Sequence, residues 1–197
     1  INSWGGRLTV QNGADVTVNS GLSAIVGENG IAITDSTVEA AVSSGETNAL
    51  YASNGEVMIK NSIVNAKAAA ENAYPTIWGS GIKISDNSKV TAVSLNTNAL
   101  FSPNVIAVSN AALEAKSTAW AVWSNGSVDI SGSTVKAYDT GGHIDASIHA
   151  GTALTVSNNA DVLADGGIEA VNGITVTPAN GKLIEYKAGT HEEGESG

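Results

Sequence analysis

The chain has 197 residues, of which 42% are hydrophobic, and 19 acidic side chains against 9 Lys and Arg give it a formal net charge of −10. Nucleic acid and anionic membrane surfaces are therefore poor partners, because binding to either depends on cations that neutralise phosphate groups. The absence of Cys excludes disulfides and thiolate metal sites, and no apolar run has the length of a membrane span.

Residues 1–7 lead into a repeating pattern that begins at Leu8 and continues to residue 187, where we expect a single domain. Residues 188–197 are acidic and unpatterned, and we expect them to form a tail or linker. Stacked repeats need polar caps at both ends, and neither end of the pattern shows a helical cap. We therefore expect a segment of a longer, processed protein, in which flanking domains supply the caps or the tail folds back.

Eight copies of one pattern follow one another, each made of three short apolar runs separated by polar turns. The copies begin 20 to 26 residues apart, so the repeat has a loose period near 24 residues. Self-similarity at such a period indicates a stacked architecture, because no single copy can bury its own apolar runs. The first apolar residues of the eight copies are Leu8, Ile31, Val57, Ile82, Ile106, Val128, Leu154 and Ile174.

The first apolar run of each copy has the alternation of a β-strand. The residue two positions after each start is again apolar, and a period of two places both residues on one face of a strand. These second apolar residues are Val10, Ile33, Ile59, Ile84, Val108, Ile130, Val156 and Val176.

A column of turn-forming residues lies two positions further along, which we call the Asx column. Asn, Asp and Gly tolerate left-handed backbone angles and make the side-chain bonds of turns. The column therefore predicts one corner that runs the length of the fold. Its members are Asn12, Asp35, Asn61, Asp86, Asn110, Gly132 and Asn158.

The second apolar run marks another strand, and the connection after it varies in length. This connection is long at Lys67–Pro75 and at Tyr138–Asp145, which is typical of exposed loops. The strand carries a column of Val or Leu and, two residues later, a column of Ala. The first column is Val16, Val38, Val64, Val90, Leu113, Val135 and Val162, and the second is Ala40, Ala66, Ala92, Ala115, Ala137 and Ala164.

The third apolar run carries the most informative feature of the chain, an aromatic column of Tyr51, Trp78, Phe101 and Trp123. In this register Val26 precedes the column and Ile148 follows it. The residues immediately before the aromatics form an aliphatic column, which alternation places on the opposite face of the strand. The aliphatic column is Ile25, Leu50, Ile77, Leu100 and Val122, and it ends at Ser147.

Three strands and three turns in each copy predict an all-β fold, a right-handed parallel β-helix of about seven coils over residues 8–187, with roughly 24 residues per coil. A left-handed hexapeptide helix would need a period of about 18 residues. A leucine-rich repeat would need its own Leu and Asn spacing, and a β-sandwich would not keep one polar offset in register over so many copies.

The cadence of Ile31–Gly55 and of Ile106–Gly126, in which an apolar strand and an Asx turn precede V-x-A or L-x-A and a third apolar run, resembles that of bacterial cell-surface β-helix modules. These are pectate-lyase-like solenoids of the adhesin or carbohydrate-binding type. The resemblance covers residues 8 to about 187. It is specific for architecture and implies an extracellular or cell-surface location without a cofactor, but the same fold hosts lyases, hydrolases, adhesins and inert stalks.

Two orientations of the aromatic column are open. If the aliphatic column fills the core, the aromatics form an exposed stripe with rungs about 4.8 Å apart. Set on a floor of Ala side chains, such a stripe would be a flat platform for stacking sugar rings, although an exposed apolar stripe also suits a protein contact. In the other orientation the aromatics stack inside and the aliphatics face a loop or partner. We favour the outward orientation.

Signals for catalysis are thin. The resemblance implies that enzymes of this fold use clustered carboxylates, Ca²⁺ and an Arg or Lys base, whereas Arg7 is the only Arg and lies at the N-terminal edge. A secondary candidate site is the loop that contains Asp139, His143 and Asp145, with His149 further on. These residue types suit a metal or acid–base chemistry, but a solvated loop rich in turn formers explains them equally. We predict no catalytic residue and no bound metal.

Three functions remain open. The aromatic column favours a non-catalytic extracellular module that binds a polysaccharide or host glycan. A structural stalk or spacer of a surface protein is the second, and nothing in the sequence excludes it. A diverged polysaccharide lyase or hydrolase is the third, and the lack of a convergent polar site disfavours it. We expect no enzymatic activity, no cofactor, no nucleic-acid partner and no insertion into a membrane.

Overall fold

The computed structural model describes residues 1–43, 47–69, 74–141 and 146–177, together with the backbone of residues 182–187. These parts of the chain form 24 strands in three parallel sheets, and they contain no helix. Strands are numbered in chain order, and every third strand belongs to the same sheet.

The sheets are named after the first, second and third strand of the predicted repeat. The first sheet comprises β2 (Leu8–Val10), β5 (Ile31–Thr34), β8 (Val57–Lys60), β11 (Gly81–Ser85), β14 (Val105–Ser109), β17 (Ser127–Ser131), β20 (Leu154–Ser157) and β23 (Ile174–Val176). The second comprises β3 (Asp15–Ser20), β6 (Thr37–Val42), β9 (Ile63–Ala68), β12 (Lys89–Ser94), β15 (Ala112–Ser117), β18 (Thr134–Asp139), β21 (Asp161–Gly166) and β24 (Lys182–Lys187). The third comprises β1 (Asn2–Ser3), β4 (Ile25–Gly27), β7 (Leu50–Ala52), β10 (Ile77–Gly79), β13 (Leu100–Ser102), β16 (Val122–Ser124), β19 (Ile148–Ala150) and β22 (Ile168–Ala170).

The chain visits the three sheets in turn, and each strand pairs in parallel with its equivalents one coil before and one coil after. Leu8 pairs with Ile31, and the same column continues without a slip to the pair of Leu154 and Ile174. The fold is a parallel β-solenoid of about seven coils, as predicted. With eight strands in each sheet, seven spacings of about 4.8 Å make the solenoid about 34 Å long.

Inward-facing columns fill the core. Along β5, Ile31 and Ile33 are fully buried while Ala32 between them is partly exposed, and the other strands of the first sheet repeat this alternation up to β20. Burying one such side chain stabilises the fold by about 1.5–3 kcal/mol relative to leaving it in water. The predicted first- and second-strand columns keep their register, although Ile174 and Val176 of the last first-sheet strand are 41% and 38% exposed and Val16 is only half-buried.

The Asx column lies at one corner, between the first and second sheets, and all seven members have a positive φ of 45° to 62°. Three coils have one extra left-handed residue there, namely Gly13, Asn87 and Asn159. The turn therefore accepts one or two left-handed residues, and in the three coils with two of them the step from the Asx column to the second-strand column is four residues instead of three.

A ladder of buried Ser side chains follows the Asx column and was not anticipated from the sequence. The Ser36 amide donates to Oγ of Ser62 at 3.1 Å, and the Ser62 amide donates to Oγ of Ser88 at 3.3 Å. The Ser62 hydroxyl donates in turn to the Lys60 carbonyl at 2.7 Å. Each Ser therefore closes its own turn and satisfies a buried amide of the preceding coil, which would otherwise cost about 1–3 kcal/mol.

The ends and the longest loops are only partly described. Within residues 1–7, β1 pairs with β4 in the third sheet. At the other end β24 pairs with β21. The predicted tail, 188–197, lies outside the described residues, as do 70–73 and 142–145 of the two long connections. Within the described ranges there is no helix of the length and apolar character that a membrane span requires.

Candidate functional site

The aromatic column faces outward. Each of its four members is the middle residue of a three-residue strand in the third sheet, flanked by two buried residues. Trp78, for example, is partly exposed between the buried Ile77 and Gly79. The aliphatic column is at most 1% exposed and fills the core. The orientation favoured from the sequence is therefore the one that the structure has.

The predicted register of this strand is wrong at its last rung. Ile148 pairs with Val122 in the aliphatic column and is fully buried, whereas His149 pairs with Trp123 and extends the aromatic column. Ser147 lies one position before the strand. Because the connection before β19 is long, the spacing from the second strand does not fix the register of β19. The register is instead the one that buries Ile148, a larger aliphatic side chain than Ser147.

The predicted floor of Ala side chains is also wrong. Ala49, Ala99 and Ala121 are fully buried, as are the aliphatic residues that follow them. The third-sheet strands begin only at the aliphatic residue, so the Ala before it lies in the preceding turn and does not share the outward face of the aromatic residue. The aromatic rings therefore lie directly on the sheet.

Three of the rings are nearly parallel. The centroids of Tyr51 and Trp78 are 4.7 Å apart with an angle of 18° between the planes, and those of Trp78 and Phe101 are 6.5 Å apart at 4°. Two coplanar rings would clash at 4.7 Å, so Tyr51 and Trp78 must stack face to face along the solenoid axis. The two rings therefore do not lie side by side in one plane, and each turns a face toward the other. This part of the column is not a flat platform.

The ring orientation changes at the other end of the column. Phe101 and Trp123 meet edge to face, with centroids 6.1 Å apart and an angle of 76°. Trp120 packs against Trp123 at 4.2 Å and 60°, and we call these two residues the Trp pair. The Trp123 indole donates to Oδ1 of Asn125 at 3.0 Å. Trp120 lies in the connection between β15 and β16, outside the repeat register, and only its proximity in sequence to Trp123 could have indicated its role.

A groove of about 390 Å³ lies beside the parallel rings, and we call it the aromatic groove. Its wall comes from two connections between the second and third sheets, one before β10 and one before β13. The Asn48 side chain donates to the Pro75 carbonyl at 2.5 Å and so fixes the wall to the neighbouring coil. No charged residue lines the groove. Its lining residues are Tyr51, Tyr74, Pro75, Trp78, Thr97, Asn98 and Phe101.

The C-terminal end of the column is polar. The His149 ring lies 5.2 Å from the Trp123 ring at 64°, and its Nδ1 is 2.9 Å from Oε2 of Glu169. Glu169 pairs with His149 in the next strand of the same sheet. The column thus runs from aromatic side chains into an imidazole–carboxylate pair.

The secondary candidate loop is only partly described. His143 and Asp145 lie outside the described residues. Asp139 ends β18 in the second sheet, where its Oδ1 accepts from the Gly141 amide at 2.8 Å and its buried Oδ2 has no partner among the described atoms. His149 belongs to the third sheet and pairs with Glu169 instead. The described residues contain no group of three or more His, Asp or Glu side chains that could hold a metal ion.

Comparison with protein-family models, with curated proteins and with solved structures finds no match to this chain. The resemblance to cell-surface modules is therefore supported only as far as the β-solenoid fold itself. The geometry of the aromatic column and its surroundings is the basis for any functional proposal.

Proposed function

We propose that this protein is a non-catalytic extracellular module that binds a polysaccharide or host glycan along the aromatic column. The observation that carries the proposal is the outward position of four aromatic side chains on four consecutive strands of one sheet. All four side chains are partly exposed, and a contiguous outward strip of apolar side chains is a candidate binding surface.

The surroundings of the column suit a sugar chain. Ligand sites combine apolar and aromatic walls with a few polar groups that fix orientation. Here Thr97 and Asn98 line the groove together with its aromatic side chains, and sugars offer both C–H surfaces and hydroxyl groups. The Trp pair, whose planes differ from those of the parallel rings, adds a second contact surface further along the same column.

The charge of the protein favours an uncharged glycan. None of the groove-lining residues is cationic, and the chain carries a net charge of −10. The negative field of the protein repels acidic polysaccharides. The groove also has no cationic side chain with which their carboxylates could pair. A neutral polysaccharide is not repelled by that field, so we expect the protein to bind neutral polysaccharides in preference to uronic-acid polymers.

The proposal is tested with a glycan array, followed by retention of the protein on the polysaccharide that the array identifies. We expect Trp78→Ala and Trp123→Ala to abolish retention, because each removes a ring from the contact surface. Trp4→Ala is the matched control, since Trp4 is a Trp outside the column and is 79% exposed. Asp139→Asn should retain binding. Folded column variants that bind as the wild type does would refute the proposal.

A spacer is the second candidate, and the continuity of the core favours it. The inward positions of the first sheet stay buried from β2 to β20 without a break. An uninterrupted core of this kind, six spacings of about 4.8 Å, makes a rigid rod about 29 Å long. If the array shows no binding while the protein is folded, the spacer becomes the leading function.

A further inference from the structure

The chain contains six Asn-Gly pairs, and the structure describes five of them. An Asn side chain loses its amide most readily when Gly follows it, because Gly has no β-carbon to hinder attack by its own backbone nitrogen. In all five described pairs the Asn is exposed, so exposure does not distinguish them. The five pairs are Asn12–Gly13, Asn29–Gly30, Asn54–Gly55, Asn125–Gly126 and Asn172–Gly173.

Hydrogen bonding of the Gly amide does distinguish the pairs. In four of them this amide, which is the attacking group, donates to an acceptor. Gly55 is the exception, because no atom in the described part of the chain accepts from its amide. The four acceptors are the Asp35 carbonyl for Gly13 at 2.7 Å, the Gly27 carbonyl for Gly30 at 3.0 Å, Ser124 Oγ for Gly126 at 3.1 Å and the Ala170 carbonyl for Gly173 at 3.1 Å.

The side chain of Asn54 is not held either. The Asn29 side chain donates to the Gly5 carbonyl at 3.0 Å, and the Asn125 side chain accepts from the Trp123 indole at 3.0 Å. Asn54 is bonded through its backbone, where its amide donates to the Glu28 carbonyl at 2.8 Å. No described atom bonds its side chain. Both reacting groups of this pair, the side-chain amide and the Gly55 nitrogen, can therefore approach each other without breaking a hydrogen bond.

We propose that Asn54 is a site of spontaneous deamidation, to which the fold directs the reaction. The Gly55 nitrogen loses its proton to solvent and attacks Cγ of Asn54. The new N–C bond closes a succinimide ring while the bond from Cγ to the side-chain nitrogen breaks, and that nitrogen takes up a proton and leaves as ammonia. One water molecule then opens the ring, at the side-chain carbonyl to give Asp or at the main-chain carbonyl to give isoaspartate. The reaction involves no oxidation or reduction.

The isoaspartate product does not fit the turn. Isoaspartate places the β-carbon in the backbone and so lengthens the turn by one atom. A β-carbon built on Gly55 would lie 2.3 Å from the carbonyl oxygen of Asn29, so the turn already packs closely against the preceding coil. We therefore expect isoaspartate at this position to lower the melting temperature. This inference does not rest on the glycan proposal, because it concerns the turn after β7 and requires no ligand.

The test is peptide mapping by mass spectrometry after the intact chain has been incubated at mildly alkaline pH, once folded and once in urea. One hydrogen bond lowers the population of the open amide by roughly two- to tenfold. In the folded protein we therefore expect Asn54 to convert at least that much faster than the other four described Asn residues. In urea the five should convert at similar rates, because all are followed by Gly.

Two results of this comparison would overturn the proposal. The first is conversion at Asn54 in the folded protein that is no faster than at Asn29 or Asn125. The second is an equal preference for Asn54 in urea, which would show that the local sequence and not the fold directs the reaction.

Variants test the role of the hydrogen bond. Ser124→Ala removes the acceptor of the Gly126 amide and should raise the conversion rate at Asn125 by roughly two- to tenfold, while the rate at Asn54 stays the same. Asn54→Gln should abolish conversion at this position, because the larger ring that Gln would close forms slowly. An unchanged rate at Asn125 in folded Ser124→Ala would contradict control by the Gly amide bond.

Asn54→Asp separates the new charge from the longer backbone. This variant should melt close to the wild type, because the position is exposed. The isoaspartate form, purified from aged protein, should melt at a lower temperature than Asn54→Asp. Equal melting temperatures for the two would refute the expected strain in the turn.

Discussion

Each member of the Asx column holds a left-handed backbone angle, and the type of residue at that position determines how much backbone strain the corner carries. In Asn61 this angle is φ 45°, and the side-chain amide also donates to Oδ1 of Asp35 at 2.7 Å. Asn and Gly visit this region readily, whereas a residue with an ordinary β-carbon is destabilised there by about 1–2 kcal/mol.

We expect Asn61→Ala to lower the free energy of unfolding by about 1–2 kcal/mol, since Ala keeps the β-carbon at a left-handed angle and loses the side-chain bond to Asp35. Asn61→Gly should be less damaging, because Gly relieves the backbone strain while losing the same bond to Asp35. Urea denaturation of the two variants measures the difference. Equal losses of unfolding free energy for Ala and Gly would mean that Asn61 stabilises the fold through its side-chain bond and not through its tolerance of the left-handed angle.

Neighbouring residues of one strand test the assignment of inside and outside. Ile33 is fully buried, and Ala32 beside it is partly exposed on the outer face of the same strand. Ile33→Asp buries a charge without a partner and should cost several kcal/mol or prevent folding. Ala32→Asp places the same group at the solvent face and should change stability by less than about 0.5 kcal/mol. Similar losses for both would contradict the described register.

At the scale of one element, the third-sheet strands are too short to be stable alone and depend on their neighbours on both sides. The four that carry the aromatic column have three residues each, and the middle one is the outward aromatic. The rings therefore contact one another across strands, and stacked aromatic pairs contribute about 0.5–1.5 kcal/mol beyond the area that they bury.

A double-mutant cycle on Tyr51 and Trp78 measures this contact. We expect Trp78→Ala alone to cost about 1–2 kcal/mol, less than the roughly 3–5 kcal/mol typical of an interior Trp. The coupling energy between Tyr51→Ala and Trp78→Ala should be about 1 kcal/mol, because the two rings are 4.7 Å apart. Additive effects would show that the rings do not stack in solution.

The first- and second-sheet columns could be predicted from the sequence because alternation and the Asx corner fix them independently. The positions that Val10, Asn12 and Val16 occupy in the first coil recur at nearly constant spacings in the later coils. A shift of one residue would turn every side chain of a strand to the wrong face. The third strand follows a connection of variable length, and the register at Ile148 and His149 was therefore misassigned.

The site could be predicted only in part. Alternation identifies the outward face that holds Trp78, but ring planes depend on side-chain torsions that the sequence pattern does not contain. For the same reason the face-to-face stack with Tyr51 was not anticipated. Tyr74 and Trp120 come from the connections rather than from the repeat, so no period in the sequence assigned them to the groove or to the Trp pair.

At the scale of the whole molecule, each coil contacts mainly the coils above and below it. Stability is then close to a sum of coil and interface contributions, and a change in one coil acts mostly on its neighbours. This arrangement lets connections vary in length while the core columns stay in register. Groove walls such as Tyr74 can thus differ from coil to coil on an almost constant scaffold.

The account as a whole depends on the aromatic column being the surface that contacts a ligand. The chain has four Trp residues, and three of them, Trp78, Trp120 and Trp123, lie in or against the column, while Trp4 lies outside it. The indole N–H signals of a ¹⁵N-labelled protein therefore report on the column with an internal control.

The most direct measurement is a titration of these four signals with a soluble, uncharged oligosaccharide of the polysaccharide that the array identifies. The account predicts that the signals of Trp78, Trp120 and Trp123 shift together and saturate, while that of Trp4 stays in place. Saturable binding that leaves the three column signals unchanged, or that shifts only Trp4, would contradict it.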